Sequence, residues 1–208
     1  GRFLDGRRFF NEARAISTAQ HAGIVKIFDC GQLEDGTAYI LMEFLDGETL
    51  FCRLEKHQSR NERTACEQVV EIAYQIAAAL MLIHGKGIIH RDLKPENVFL
   101  VPDPVAPFGE RVKLLDFGVA KFKDITSYKT TVGIILGTPL YMSPEQCEGR
   151  EDVTDKVDVY ALGVMLFEML AGRLPFIAES GVALMRQHIF RAPEDLATVA
   201  KELPPALV

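Results

Sequence analysis

The sequence predicts an α+β fold, and three observations carry that reading. Two apolar, β-branched and aromatic runs flank "EDG" in "GIVKIFDCGQLEDGTAYILMEFLDG", the pattern of a hairpin. "ERTACEQVVEIAYQIAAALMLIHGKG" repeats apolar residues at helical spacing. "TDKVDVYALGVMLFEMLAGRLPF" is apolar almost all round, the mark of a helix buried in the middle of a domain. The 208 residues suffice for one large domain or two small lobes, and no internal repeat divides them.

The elements follow in chain order. "RRFFNEARAISTAQ" sets Phe9, Ala13 and Ile16 near helical spacing, which predicts an amphipathic helix over about residues 7–19. The hairpin comes next. The long helix carries Val69, Ile72, Ile76, Leu80 and Ile83 on one face and stops at Gly85 and Gly87. "GIIHRDLKPENVFLV" and "RVKLLDFGV" read as short strands around a polar loop. The Pro-rich "PDPVAPFGE" between them reads as an exposed insertion. Periodicity fades from Val119 to Thr138, which predicts a long mobile loop. Thr154 or Asp155 caps the apolar helix, and Gly172 ends it with Pro175 beyond. The tail reads as helix, loop and a Pro-Pro stop.

Composition removes several function classes. A formal charge of −6 supplies no basic face, so no nucleic-acid partner is expected. Cys30, Cys52, Cys66 and Cys147 form no CxxC pair, which argues against zinc or a disulfide framework and for a reducing compartment, the cytoplasm. His21, His57, His84 and His188 lack acidic or cysteine neighbours at ligand spacing and read as surface or core residues. No apolar run is expected to reach the length of a membrane span; Val157–Ala171 is interrupted by Asp158 and Glu168. No membrane contact is expected from this segment, which leaves any anchor outside it. The first residues lack the apolar core of a signal peptide and include no Met, so the chain reads as a fragment.

The chemistry concentrates in "HRDLKPEN" and "DFG". Asp92, Lys94 and Asn97 lie within six residues, and Asp116 follows after the insertion. Carboxylate and amide oxygens suit Mg²⁺, which is usually shared with substrate phosphates. A separate Asp can take the proton of an attacking hydroxyl. A Lys between them can neutralise charge on a phosphoryl group in flight. Phosphoryl transfer requires this set of parts, because it is mostly positioning and charge stabilisation.

"HRDLKPENV", "DFG", "GTPLYMSPE" and "DVYALG", in that order, resemble the protein-kinase superfamily, and the lysine form of the loop resembles its bacterial-type serine/threonine branch. "GTPLYMSPE", tied in that family to peptide-substrate binding, argues against a small-molecule kinase. The resemblance implies a protein-kinase-like bilobal α+β fold. Residues 1–45 would be a remnant N-lobe with helix C, the following strands and the hinge; residues 46–208 would be a mostly helical, C-terminally incomplete C-lobe. The implied reaction moves the γ-phosphate of ATP to Ser/Thr hydroxyls of protein substrates with Mg²⁺, and a kinase dimer is the implied partner for trans-autophosphorylation.

The resemblance also implies roles. Asp92 would be the base, Lys94 would contact the γ-phosphate, and Asn97 and Asp116 would hold metal. Met42 stands at the gatekeeper position, Glu43, Phe44 and Leu45 form the hinge, and Phe99 joins Lys94 and Asp116 at the nucleotide. His90 and Phe117 would stack in the internal hydrophobic column beneath Ile16 and Ile27. Glu12 matches the glutamate of the mobile helix, and Thr138 the threonine that distinguishes Ser/Thr kinases. Arg91 would receive an activation-loop phosphate, with Thr130 or Thr131 as its site; Thr126 and Ser127 lie in the same loop. Asp158 would accept hydrogen bonds from the catalytic-loop backbone, and Glu145 stands where the family has the Glu of "APE", with Ser143 in place of Ala.

The pattern also breaks. No GxGxxG occurs, the first lysine is Lys26, and no Arg follows Arg191 to pair with Glu145. The chain therefore reads as a truncated catalytic domain, expected on its own to bind ATP weakly and transfer no phosphate. The alternative is a non-catalytic, pseudokinase-like binding or scaffold module. Intact Asp92, Lys94, Asn97 and Asp116 favour the first reading.

Overall fold

The computed structural model describes residues 21–116, 139–200 and 203–204. The helix expected over residues 7–19 and the loop expected over Val119–Thr138 lie outside them.

β1 (Ile27–Gln32) and β2 (Ala38–Met42) pair antiparallel as the predicted hairpin. Its turn is closed by Gly36 at φ 88° and by the Asp35 carboxylate, which accepts the Thr37 amide at 2.8 Å. Phe28, Leu33 and Leu41 are exposed on it. A second antiparallel sheet runs β3 (Glu48–Thr49), β4 (Val98–Pro102), β5 (Glu110–Leu114). β4 and β5 are the strands expected around the insertion, whereas 87–90 adds none. The insertion is mostly exposed and tightened by a 3-10 turn at Pro107–Gly109. Backbone bonds join β5 to the segment leading into β1: Val25 N donates to Leu114 O at 3.0 Å, and Leu114 N to Gly23 O at 2.8 Å.

The segment after β2 crosses from one sheet to the other and lands on β4 at Gly47. Its φ is 155°, and a Cβ there would lie 2.1 Å from Leu100 O. Only a residue without a side chain allows that approach.

α1 (Leu50–Ser59) follows β3, and α2 (Cys66–His84) follows α1. α2 buries Val69, Ile72, Ile76, Ala79, Leu80 and Ile83, the predicted stripe with Ala79 added. This stripe joins Leu100, Val112, Leu114, Met165 and Met169 in one core. Each Ile or Leu fully buried there contributes roughly 1.5–3 kcal/mol relative to exposure. Contrary to the expectation that no run is long enough, α2 has 19 residues at hydropathy 1.4, which meets a membrane span by length and composition. In this fold its apolar stripe faces the core instead.

After α3 (Pro144–Cys147), α4 (Lys156–Ala171) crosses the domain and buries residues on most of its sides. It ends at Gly172 with φ 71°, as its sequence implied. At its start Asp155 holds the cap position without a side-chain cap bond, and Thr154 Oγ1 accepts the Lys156 amide at 3.4 Å. α5 (Gly181–Phe190) is capped by Ser180, and α6 (Leu196–Val199) by Asp195. The tail thus contains a second short helix in place of a plain loop.

Three helices were absent from the sequence reading. α1 starts where Thr49 Oγ1 accepts the Cys52 amide at 3.1 Å, and its signal was that threonine ahead of Leu50 and Leu54. α3 starts with a capping box between Ser143 and Gln146. α6 is too short to show a period.

Candidate active site

The chain leaves α2 through Gly87, which has φ 72°, and enters the polar loop. A 3-10 turn at Pro95–Asn97 closes the loop into β4. Within it, Asn97 Nδ2 donates to Asp92 O at 2.8 Å and to Asp92 Oδ2 at 3.2 Å. Lys94 Nζ lies 3.4 Å from the same Oδ2. The fold therefore gathers Asp92, Lys94 and Asn97 around one carboxylate. Asp116 arrives at the end of β5 and is tied in through its neighbour. Leu115 N donates to Asn97 O at 2.9 Å, and Leu115 O accepts from His90 Nε2 at 2.9 Å. That acceptor requires His90 to carry its proton on Nε2. Burial holds the His90 imidazole below its ordinary pKa, hence neutral.

Arg91 and Asp116 adopt φ 64° and 41°, left-handed values for residues with side chains. Such conformations cost about 1–3 kcal/mol each and persist where surroundings over-determine them. Asp158, fully buried in the first turn of α4, supplies that constraint at Arg91. Its Oδ2 accepts the His90 amide at 2.8 Å and its Oδ1 the Arg91 amide at 2.8 Å. This is the bonding that the resemblance implied for Asp158. Gln146 of α3 donates to Arg91 O at 2.8 Å.

His84 is half-buried, in keeping with its reading as a surface or core residue, and has a partner that the sequence did not show. Its Nε2 lies 2.7 Å from Asp158 Oδ2, a neighbour 74 residues away that no local spacing announces. His188 is buried, with its Nδ1 2.7 Å from Tyr160 Oη and its ring edge-on to Phe176. A further pair that sequence reasoning missed joins α4 to the segment before α3: Tyr141 Oη donates to Glu168 Oε2 at 2.7 Å. Burial pushes the Glu168 carboxyl above its ordinary value against the pull of that bond.

Met42 ends β2, and Glu43, Phe44 and Leu45 follow it. Phe44 is 92% exposed, whereas the Glu43 carboxylate is bonded to Lys26 N at 2.8 Å and to Lys113 Nζ at 2.5 Å. Burial pushes Glu43 up, but these bonds outweigh it and hold the carboxyl below its ordinary value. Phe99 lies on β4 opposite Lys113, half-buried. Ile27 packs partly against the core. Glu145 is half-buried on α3, and its carbonyl accepts the Arg150 amide at 3.0 Å. Glu12, Ile16, Phe117, Thr126, Ser127, Thr130, Thr131 and Thr138 lie outside the described residues.

The donor set fits Mg²⁺. Both N–H bonds of the Asn97 amide go to Asp92, so the atom that Asn97 offers is Oδ1. Asp116 is exposed and adds a carboxylate, which gives the hard oxygen ligands that Mg²⁺ takes.

The protein kinase domain family matches residues 4–205. Serine/threonine-protein kinase Pkn1 of Myxococcus xanthus is 43% identical over 205 residues, 97% of this chain and 28% of that protein. Pkn3 of the same organism is 41% identical over 189 residues, 89% of this chain and 33% of that protein. The crystal structure of the Mycobacterium tuberculosis PknI kinase domain superposes with a TM-score of 0.71 at 25% identity, covering 97% of this chain and 66% of that one. The chain thus spans about a third or less of the curated relatives it matches. With a family match along nearly its whole length and the Asp92–Lys94–Asn97 cluster assembled beside Asp116, the chain belongs to the protein kinase domain family.

Proposed function

We propose that the protein carrying this segment is a serine/threonine protein kinase that transfers the γ-phosphate of ATP to hydroxyls of protein substrates. The carrying observation is the cluster of Asp92, Lys94 and Asn97 around one carboxylate, in a loop whose Arg91 amide is held by Asp158. Asp92 orients the substrate hydroxyl and accepts its proton as the oxygen attacks phosphorus. Lys94, 3.4 Å from Asp92, neutralises charge on the transferring group. Asn97 and Asp116 hold Mg²⁺, which supplies charge compensation at the phosphates. Met42, the backbone of Glu43–Leu45 and the face of Phe99 receive the base of the nucleotide. Relatives named as serine/threonine kinases support this choice of acceptor. The reaction belongs in the cytoplasm, where ATP is available. A second copy of the kinase would supply the phosphate that Thr130 or Thr131 presents to Arg91.

The test is phosphorylation of Ser/Thr peptides by the full-length protein and its Asp92→Asn variant. A positioned general base is worth roughly 10²–10⁴ in rate, so turnover should fall by that factor with ATP binding retained. Unchanged turnover in the variant would sink the assignment.

A further inference from the structure

Three segments converge beside the hinge. Lys26 leads into β1, Glu43 follows β2, and Lys113 lies in β5. One oxygen of the Glu43 carboxylate accepts both the Lys26 amide at 2.8 Å and Lys113 Nζ at 2.5 Å. The Glu43 amide returns a bond to Lys26 O at 2.9 Å, so these two residues are joined twice. The Lys113 and Glu43 side chains are only 15% and 25% exposed, unlike those of a screened surface bridge. Lys113 faces Phe99 across the β4–β5 ladder, on the strand that leads to Asp116.

We propose that Glu43 and Lys113 form a positioning clamp that fixes the hinge backbone relative to Phe99 and Asp116, and thereby sets the affinity for the nucleotide. The proposal rests on the kinase reading above for the identity of that nucleotide, ATP. The hinge ends the hairpin, whereas Phe99 belongs to the other sheet and Asp116 follows two residues after its last strand. A nucleotide base held by both would need their separation set in advance. The backbone bonds of Val25 and Leu114 hold the segment leading into β1 to β5 at one point, and the clamp adds a second beside the hinge. Without it, the fraction of molecules with a binding-ready hinge falls, and apparent affinity falls in proportion. The loop that carries Asp92, Lys94 and Asn97 is anchored separately, through the His90 and Arg91 amides that Asp158 accepts, so chemistry after binding should be untouched.

Lys113→Met, Lys113→Gln and Lys113→Arg in the full-length protein test this. The readouts are KM for ATP, kcat on a peptide, and amide exchange at Lys26 and Glu43. Lys113→Met should raise KM about tenfold, the equivalent of roughly 1.4 kcal/mol, and leave kcat within about twofold. It should also speed exchange at both amides. Lys113→Gln keeps a neutral donor and should fall between; it carries the test if the Met variant does not fold. Lys113→Arg keeps a cation and should recover most of the affinity. Unchanged KM, or a loss confined to kcat, overturns the positioning role. Unchanged exchange overturns the clamp itself. A wild-type protein without turnover overturns the kinase reading, and the exchange result then still decides whether the clamp exists.

Discussion

Asp158 Oδ1 accepts the amide of Arg91 at 2.8 Å across 67 residues of chain, and no part of Asp158 reaches water. Its other oxygen serves the His90 amide and faces His84. An asparagine there would turn an N–H₂ group toward at least one of these donors. Asp158→Asn should therefore cost on the order of 3 kcal/mol, since bonds to charged acceptors and unpaired buried donors each count for about 1–3 kcal/mol. Urea unfolding measures the loss, and amide exchange at Arg91 locates it. An Arg91 amide as protected as in wild type would contradict the anchoring role.

Gln75 does for the edge of β5 what a neighbouring strand would do. Its Oε1 accepts the Val112 amide at 2.9 Å, and its Nε2 donates to Glu110 O at 3.2 Å. Val112 is buried, so water cannot replace these bonds freely. Gln75→Leu should destabilise the fold by about 2–4 kcal/mol, with two backbone groups left unsatisfied. Chemical denaturation should show a lower midpoint at an unchanged slope.

Stability should fall in two stages on acidification. Burial holds His90 below its ordinary value of 6.5, so the unfolded chain binds the extra proton, and stability is lost as pH drops below about 6.5. The Arg53 fork at 2.6 and 2.8 Å holds Glu110 below its ordinary 4.5, and bonds from Lys56 and Arg53 do the same for Glu48. Their contribution is present above 4.5 and disappears as pH falls through the depressed folded values. Unfolding free energy measured from about pH 8 to pH 3 should show both losses. Glu110→Gln should flatten the lower stage and spare the upper one.

Glu168 titrates with the opposite sign. Burial raises its carboxyl above the ordinary value, so the fold prefers the protonated form. Its contribution is fully present below 4.5 and is lost as pH rises through the raised folded value. Glu168→Gln keeps an oxygen for Tyr141 and removes the buried charge. At neutral pH it should gain about 0.5–2 kcal/mol, the usual range of a stabilising substitution. Thermal melts at neutral and acidic pH should show the gain shrinking toward acid.

What the sequence disclosed follows the distance over which each signal acts. Asp92, Lys94 and Asn97 were legible because their contacts close within six residues. α2 was legible because its stripe repeats over 19 residues, whereas α1 buries only Leu50 and offers no long period. Residues 43–45 were read for their backbone alone. The work of the Glu43 carboxylate depends on Lys113, 70 residues away, and nothing near Glu43 announces it. The partner of His84 was illegible for the same reason, since it arrives only when α4 packs against α2. Asp158 was placed by family resemblance; spacing alone would have left it a helix cap.

At Gly47 the hinge rests on the carbonyl of Leu100 with no room for a Cβ. Every other amino acid carries that atom, so no single substitution at this position is neutral in shape. Each one must lift the chain off β4. A saturation scan of residues 43–47 should therefore find tolerance at the exposed Phe44 and Asp46 and an empty column at Gly47. Drift in the hinge is confined to the stretch before that glycine, and inhibitors built to lean on the Gly47 backbone would meet a surface from which resistance by side-chain replacement is closed.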